Sequence, residues 1–331
     1  MRNNLICTYA IALLLCSCGN GSDTTVTPAD NGNQAPKISL VPKNLPSFNA
    51  DSAYVYTDKQ VKFGPRVPNT PAHVACGDYL ISELKRHGAT VIVQAGNVTA
   101  YTGESLKFRN IVGKINPDKK DRIMLTCHWD TRPFSDQDKN KPKERFDGAV
   151  DGAASVGILL EIARLMKDKP ADIGVDIVFY DAEDFGNSNS GGNTFCLGSQ
   201  YFANQPPEKG YTARFGINLD MVAGAGATFY KEGFSVKYAP NVVGRVWQIA
   251  SELGYDRYFV NETSGDVTDD HLYINQIMGI PTIDIIAHDT RTGFPEFWHT
   301  QQDNMDAVDK TTMGVVGHTL LAVIYAEKPA V

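Results

Sequence analysis

The sequence predicts an α/β fold with a mixed, mostly parallel, twisted central sheet that is flanked by helices on both faces. Short apolar segments, typical of strands buried on both faces, alternate with amphipathic segments typical of helices. The 331 residues are 42% apolar and 21% charged, which is enough apolar material for one large core. The net charge of -7 argues against nucleic acid as a partner.

The first 17 residues have the layout of a secretory signal peptide. Arg2 precedes an apolar stretch over residues 5–16 that is short for a membrane span, and small residues follow. Ser17 and Cys18 resemble the end of a bacterial lipobox, so we expect cleavage before Cys18 and acylation of its thiol. The expected product is an exported lipoprotein on the periplasmic side of the outer or inner membrane. The alternative is a soluble secreted protein that is cut nearby.

The segment after Cys18 predicts a tether followed by one domain. Residues 18–45 are rich in Gly, Asn, Asp, Thr and Pro, with little apolar periodicity. Residues 46–331 are then expected to form a single domain. Three cysteines fall in it, Cys76, Cys127 and Cys196, and an odd count leaves at least one thiol unpaired.

The elements of this domain can be predicted in chain order. Thr70 is a typical N-cap, Pro71 a typical first helical residue and Gly88 a typical exit, so a helix is expected between them. Two β-rich stretches over residues 90–115 are expected to be neighbouring strands. Later strands are expected in DRIMLTCHWD, VDIVFYDAED, FGINLDM and IPTIDIIA, and later helices in GAASVGILLEIARLMKDK, VVGRVWQIASELG and KTTMGVVGHTLLAVIYAEK.

Ionisable side chains collect where the predicted strands end, which is where open parallel sheets bind ligands. Carboxylates and imidazoles from separate loops are typical ligands of a catalytic zinc ion, so we predict a metal site there. Asp151 is also placed to cap the following helix, and one residue can do both. The strand-end residues are His128, Asp130, Glu183, Asp184, Asp220, Asp284 and His288, and two loops add Asp151 and His299.

The histidines divide into two groups. His73, His87 and His318 fall in predicted helices away from the strand ends, and we interpret them as structural or surface residues. His128 and His299 each lie next to a Trp and within a few residues of an Asp, which favours an oriented imidazole.

Six motifs follow one another along the chain. They are HWDT at 128–131, DGAVDGAAS at 147–155, DAED at 181–184, NLDM at 218–221, DDH at 269–271 and FWHTQQD at 297–303. In this order they resemble the M28 zinc aminopeptidase superfamily, and the resemblance covers most of residues 50–328. Trp298 directly before His299, Phe294 shortly upstream, and Asp269 where aminopeptidases usually have Ser make the chain most similar, within that superfamily, to the glutaminyl-peptide cyclotransferases, or glutaminyl cyclases, of animals and some bacteria.

The resemblance implies that residues 46–331 form a zinc-dependent catalytic domain. Its activity would convert the N-terminal glutamine of peptides and proteins to pyroglutamate with release of ammonia, using one zinc ion per chain. The implied site residues are the zinc ligands Asp151, Asp184 and His299, the general base and acid Glu183, the hydrogen-bonded pair Asp220 and Asp269, and the pocket walls Phe294 and Trp298.

Two departures from the animal cyclases bear on this site. Asp184 stands where they have Glu, and its shorter side chain requires a closer approach of the backbone to the metal. Val156 stands where the secreted animal enzymes have the cysteine that pairs with the counterpart of Cys127, so Cys127 is expected to be a buried free thiol.

Two other functions stay open at this point. A two-zinc aminopeptidase is the main alternative, because His128 and Asp220 could complete a second metal site with Asp151 bridging. A metal-free binding lipoprotein with the same fold is the other. The partners expected for the cyclase are peptides with N-terminal glutamine and, through the lipid anchor, a membrane. We expect a monomer that binds no nucleic acid.

Overall fold

The computed structural model describes residues 39–190 and 193–330. The expected signal peptide, Cys18 and most of the expected tether lie outside these ranges. In the described ranges, no helix has the length and apolar character needed to cross a membrane.

A six-stranded mixed sheet forms the centre of the domain, with strand order β1-β2-β4-β3-β5-β8. The pairs β1–β2 and β2–β4 are antiparallel, and the other three pairs are parallel. A separate parallel pair is formed by β6 and β7. The strands are β1 (Thr90–Thr99), β2 (Ser105–Ile115), β3 (Arg122–His128), β4 (Gly174–Tyr180), β5 (Gly216–Asp220), β6 (Phe229–Lys231), β7 (Phe259–Thr263) and β8 (Thr282–Ile286).

Helices cover both faces of this sheet. Ile123 and Leu125 of β3 face the larger core, into which helices α2, α3, α6 and α8 pack, whereas Met124 faces a smaller core with Phe202 of α4. The predicted α/β fold class is therefore confirmed. The helices are α1 (Ala50–Val61), α2 (Pro71–Arg86), α3 (Ser155–Asp168), α4 (Leu197–Asn204), α5 (Gly233–Tyr238), α6 (Pro240–Glu252), α7 (Asp270–Tyr273) and α8 (Lys310–Ala326).

The best-marked helix in the sequence forms as expected. In α2 the Thr70 side chain accepts a hydrogen bond from the His73 amide, and Pro71 occupies the first turn, where no intrahelical donor is needed. Strands β3 and β4 are buried along their whole length, as their mostly apolar sequences predicted.

Helix α1 has no clear apolar stripe and was not predicted. Its inner face carries Thr57 and Gln60, both fully buried. The Thr57 hydroxyl donates to the Ala53 carbonyl within the helix, and the Gln60 amide donates to the Ala153 carbonyl. Because these buried side chains donate hydrogen bonds to main-chain carbonyls, the helix packs without the apolar period that marks an amphipathic segment.

The folded part begins before the expected boundary at residue 46. The main-chain amide of Leu40 donates to the Glu252 carboxylate, and Lys169 donates to the Asn44 carbonyl. Leu40, Val41 and Leu45 pack against the larger core. Residues 39–45, expected in the tether, therefore lie on the domain.

Candidate metal centre

A strained turn after β4 delivers Glu183 and Asp184. Ala182 has a φ of 53°, a left-handed conformation that is unfavourable for residues other than glycine. The Asp130 carboxylate stabilises the turn, because one oxygen accepts from the Glu183 amide at 3.1 Å and the other from the Asp184 amide at 3.3 Å. Asp130 thus holds the main chain, and the two carboxylates that follow Ala182 are left free to face the site.

A second irregular turn, Ala149–Ala154, delivers Asp151 just before α3. The buried Asp303 carboxylate accepts hydrogen bonds from the Val150 amide at 2.7 Å and the Asp151 amide at 3.2 Å. Gly152 follows with a φ of 97°, which a side chain would strain. The Asp151 side chain makes no capping bond to α3, so the interpretation of Asp151 as an N-cap is wrong.

His299 comes from the loop before α8 and has a φ of 53°. Its Nδ1 atom lies 3.3 Å from Oδ1 of Asp136, and its Nε2 atom faces the site. The Trp298 ring stacks on the imidazole with 3.9 Å between ring centroids. The Phe146 ring also lies near the His299 imidazole, with 6.2 Å between the ring centroids.

Asp151, Asp184 and His299 converge in three dimensions. Nε2 of His299 lies 3.3 Å from Oδ1 of Asp184 and 3.5 Å from Oδ2 of Asp151. All three side chains are buried. Neither contact has hydrogen-bond geometry, and Oδ2 of Asp184 has no hydrogen-bond partner among the described residues. Short approaches of this kind are typical of atoms that point at a shared cation.

The donor set and its spacing fit zinc. Four ligands at about 2 Å in a tetrahedron have their donor atoms about 3.3 Å apart, close to the separations seen here. Although burial alone would lower it, the carboxylates of Asp184, Asp136 and Asp151 raise the pKa of His299 to about 9. The site therefore carries surplus negative charge, which a divalent cation neutralises. Three protein ligands leave a position for substrate.

A second cluster shares Asp151. Nε2 of His128 lies 3.0 Å from Oδ1 of Asp151 and 3.4 Å from Oδ1 of Asp220. Against the effect of burial, Asp130, Asp151 and Asp220 raise the pKa of His128 well above its ordinary value. The two oxygens of Asp151 thus face different clusters, which is the arrangement a bridging carboxylate would have.

Asp220 and Asp269 were expected to hydrogen-bond each other, and no such bond is found among the described residues. Asp220 faces His128 instead. Asp269 accepts a hydrogen bond from Nδ2 of Asn218 at 2.8 Å and lies beside the buried Asp284. Both carboxylates still border the same cavity. Asp284 itself lies inside β8 rather than at its end.

The site opens into a cavity of about 290 Å³. Three rings form a column along its wall: the centroid of Phe294 is 4.4 Å from Trp298 and 5.0 Å from His288. Trp298 continues the column onto His299. The cavity lining includes Glu183, Asp220, Asp269, Phe195, Phe294 and Trp298 together with the three candidate ligands.

The structure thus brings together the three candidate ligands, Glu183, Asp220, Asp269, the two aromatic residues and His128, whereas Asp284 lies within β8. His73 is buried, with Nε2 2.9 Å from the Asp181 carboxylate, which agrees with its interpretation as a structural residue. Sequence reasoning missed Arg132, Asp136 and Cys196, which contact the predicted residues. Their positions depend on the loops over 132–136 and 184–196, which have no periodic pattern.

Carboxylates and imidazoles at the carboxyl ends of a sheet covered on both faces define a zinc exopeptidase-like α/β enzyme. The chain belongs to peptidase family M28, whose model matches residues 110–324.

Three relatives illustrate the similarity. The structure of Bacteroides thetaiotaomicron glutaminyl cyclase bound to N-acetylhistamine is 50% identical, with a TM-score of 0.84 over 86% of this chain and 100% of that chain. A leucine aminopeptidase precursor from the same organism is also 50% identical, with a TM-score of 0.83 over 86% and 99%. The glutaminyl-peptide cyclotransferase of Bos taurus is 24% identical over 75% of this chain and 74% of that protein. The resemblance to glutaminyl cyclases in the M28 superfamily is confirmed.

Proposed function

We propose that this chain is a glutaminyl-peptide cyclotransferase that converts the N-terminal glutamine of peptides to pyroglutamate and releases ammonia, using one zinc ion held by Asp151, Asp184 and His299. One observation carries the proposal. The Glu183 carboxylate borders an aromatic-walled cavity beside these three convergent ligands. Glutaminyl cyclases at 50% identity support the same activity.

The metal site and the base have separate tasks. When bound, zinc supplies a Lewis acid that polarises the γ-carboxamide carbonyl of the terminal glutamine. Glu183 takes a proton from the α-ammonium group, so that the free amine attacks the carboxamide carbon, Cδ, and closes a five-membered ring. As the new C–N bond forms, the bond to the carboxamide nitrogen breaks, and Glu183 gives its proton to the departing nitrogen so that ammonia leaves. Glu183 then accepts the second proton of the former amine, which leaves the neutral lactam, and it releases this proton to solvent.

The surroundings of Glu183 suit this proton transfer. Burial, together with the neighbouring Asp184 carboxylate, raises the pKa of Glu183 well above its usual value. A carboxyl group with a raised pKa accepts a proton more readily and can return it near neutral pH. Asp130 fixes the main chain at Glu183, so the carboxylate is held at one place in the cavity.

The aromatic column suits the substrate. The rings of Phe294 and Trp298 form an apolar wall beside the ligand His299. A cavity of about 290 Å³ admits one side chain and its α-amine but little else. Because nucleophile and electrophile belong to the same residue, holding the folded conformer of glutamine brings them together, and the apolar wall disfavours competing water.

We also propose that the mature chain is a monomeric lipoprotein. Acylation of Cys18 would hold it on the periplasmic side of the outer or inner membrane, where it would meet exported peptides. The support is the lipobox-like Ser17-Cys18 pair and the apolar stretch before it. Labelling of cells with a fatty-acid probe tests this: label on the wild type and none on Cys18→Ser is expected, and equal labelling would contradict it.

A two-zinc aminopeptidase has a specific observation in its favour, namely the second cluster of His128, Asp151 and Asp220. The two functions differ in the number of zinc ions that each chain requires. Titration of the metal-stripped protein with zinc should restore glutamine cyclisation fully at one equivalent. A requirement for two equivalents, with release of N-terminal residues, would support the aminopeptidase.

Substitution of Glu183 tests the proposed mechanism. Glu183→Gln should keep the fold and the zinc but lower kcat by about 10²- to 10⁴-fold, because it removes the proton acceptor and no metal ligand. Glu296→Gln, a change at an exposed glutamate next to the pocket wall, is the matched control. Unchanged kcat in Glu183→Gln would remove Glu183 from this role.

A further inference from the structure

The carboxylate of Glu183 has a neighbour that the proposed reaction does not use. Sγ of Cys196 lies 3.4 Å from Oε1 of Glu183, within reach of a thiol hydrogen bond. Among the hydrogen bonds of the residues described, this thiol is the only donor to the Glu183 carboxylate. The other oxygen, Oε2, lies 3.9 Å from Nδ1 of His128.

The main chain fixes Cys196 against Glu183. The Cys196 amide donates to the Glu183 carbonyl at 2.8 Å, and the next amide, Leu197, donates to the Ala182 carbonyl at 3.1 Å. Cys196 has a φ of 57°, a strained conformation that turns the chain into α4. These two bonds place Cys196 beside the turn that follows β4, with its thiol at the Glu183 carboxylate.

The contact between Cys196 and Glu183 is buried and lies close to a second carboxylate. Oxygen atoms of Glu183 and Asp269 and the Cys196 sulfur all lie within 4.8 Å of one another. Asp269 is itself held by Nδ2 of Asn218 at 2.8 Å. The thiol therefore offers a hydrogen-bond donor beside two carboxylates. Cys196 is fully buried, and burial raises its thiol pKa well above the ordinary value, so the sulfur keeps its proton and remains a donor.

We propose that Cys196 is a positioning residue: its thiol donates to Oε1 of Glu183 and holds the carboxylate in the orientation from which it exchanges protons with the substrate. The inference rests on the proposed function of Glu183. It assigns to the cysteine neither a bond to the substrate nor a redox step. A hydrogen bond that fixes the base affects turnover more than substrate binding, because the substrate contacts other walls of the cavity.

Matched cysteine variants test the proposal. Cys196→Ala removes the donor, and alanine avoids the added strain of a β-branched residue at positive φ. Cys196→Ser keeps a donor. Cys76→Ala is the control, since Cys76 is an equally buried free thiol that lies in α2.

We expect the loss of the thiol donor to lower kcat and to leave KM nearly unchanged. In Cys196→Ala, kcat for a Gln-initiated peptide should fall by about tenfold, with KM within twofold of wild type and zinc content unchanged. Cys196→Ser should recover most of the loss, and Cys76→Ala should keep the wild-type kcat. A wild-type kcat in Cys196→Ala, or no recovery in Cys196→Ser, would overturn the proposal.

A spectroscopic measurement separates this inference from the proposed function. The infrared difference between wild type and Cys196→Ala isolates the S–H stretch of Cys196 in the full chain. In Glu183→Gln that band should move to higher frequency, because a neutral amide is a weaker acceptor than a carboxylate. An unmoved band would overturn the inference, whereas a wild type that does not cyclise glutamine would overturn only the proposed function.

Discussion

Nη1 of Arg132 lies 3.0 Å from the main-chain oxygen of Asp184 and 3.3 Å from Oδ1 of its carboxylate, so one guanidinium holds both parts of a candidate zinc ligand. The same guanidinium donates to both oxygens of Asp136, at 2.8 and 2.9 Å. Oδ1 of Asp136 in turn lies 3.3 Å from Nδ1 of His299. Two candidate ligands are thus joined through a single buried arginine.

Removal of this guanidinium should weaken zinc binding. We expect Arg132→Met to raise the zinc Kd by about 10- to 100-fold, because partners that orient metal ligands typically contribute that much. Competition with a chromogenic chelator measures the Kd. Arg145→Met, at an exposed arginine nearby, is the control. A wild-type Kd in Arg132→Met would show that Asp184 is held in place without it.

His299 tests the location of the metal. His299→Ala should lose zinc, because it removes the one imidazole of the proposed ligand set. Elemental analysis of the purified variant gives the occupancy. His318→Ala, which changes a histidine that contacts Tyr255 from α8, should retain full zinc. Wild-type zinc occupancy in His299→Ala would show that the metal is bound elsewhere.

Substitution of Trp298 tests whether its ring forms a wall of the substrate pocket. Trp298→Ala should lower kcat/KM for a Gln-initiated peptide by about tenfold, since the stack with His299 and the apolar wall are both lost. Trp298→Phe keeps a ring at this position and should lose less. Steady-state kinetics with equal zinc loading make the comparison, and equal kcat/KM for wild type and Trp298→Ala would place the substrate elsewhere.

The buried His87, which lies outside the candidate site, should make the free energy of unfolding depend on pH. Burial, and then the positive charge of Arg86, lower its pKa to about 4. Nε2 of His87 lies 2.9 Å from the Tyr56 hydroxyl and 3.2 Å from Nη2 of Arg86, a group that can only donate. The folded state therefore keeps His87 neutral, whereas the unfolded chain takes up a proton near pH 6.5.

This difference lowers the free energy of unfolding at acidic pH. The contribution of neutral His87 to that free energy is fully present above pH 6.5 and is lost as the pH falls toward 4. We expect a loss of about 1–2 kcal/mol, less than the full shift would give, because solvent screens the exposed Arg86. Urea unfolding of zinc-free protein at pH 7.5 and pH 4.5 measures it. His87→Gln should lose less stability than wild type over this range, and an equal loss would contradict the assignment.

The sequence predicted the elements and site residues that depend on local patterns. Strands β4 and β5 are mostly apolar, and the ionisable residues at or after their carboxyl ends, Glu183 and Asp220, meet at one edge of the sheet. Helix α1 was missed because its buried face carries Thr57 and Gln60. The direct Asp220–Asp269 bond was not found among the described residues: Asp269 accepts from Asn218, two residues before Asp220 on β5, and Asp220 lies beside His128.

The contacts that refine the site could not be predicted, because they join segments far apart in the chain. Arg132 reaches Asp184 across 52 residues, and Cys196 reaches Glu183 across 13. Strained conformations at Ala182 and Cys196 also have no sequence signal, since non-glycine residues rarely adopt them. Such strain persists where the surrounding fold enforces it.

The most direct measurement of the central claim is the identity of the product. The zinc-loaded protein is incubated with equal amounts of a Gln-initiated and a Leu-initiated peptide, and both are followed by mass spectrometry, with zinc determined on the same sample. We predict that the Gln-initiated peptide loses one ammonia and the Leu-initiated peptide stays intact, at one zinc per chain. Release of the first residue from the Leu-initiated peptide, without loss of ammonia from the other, would contradict the account.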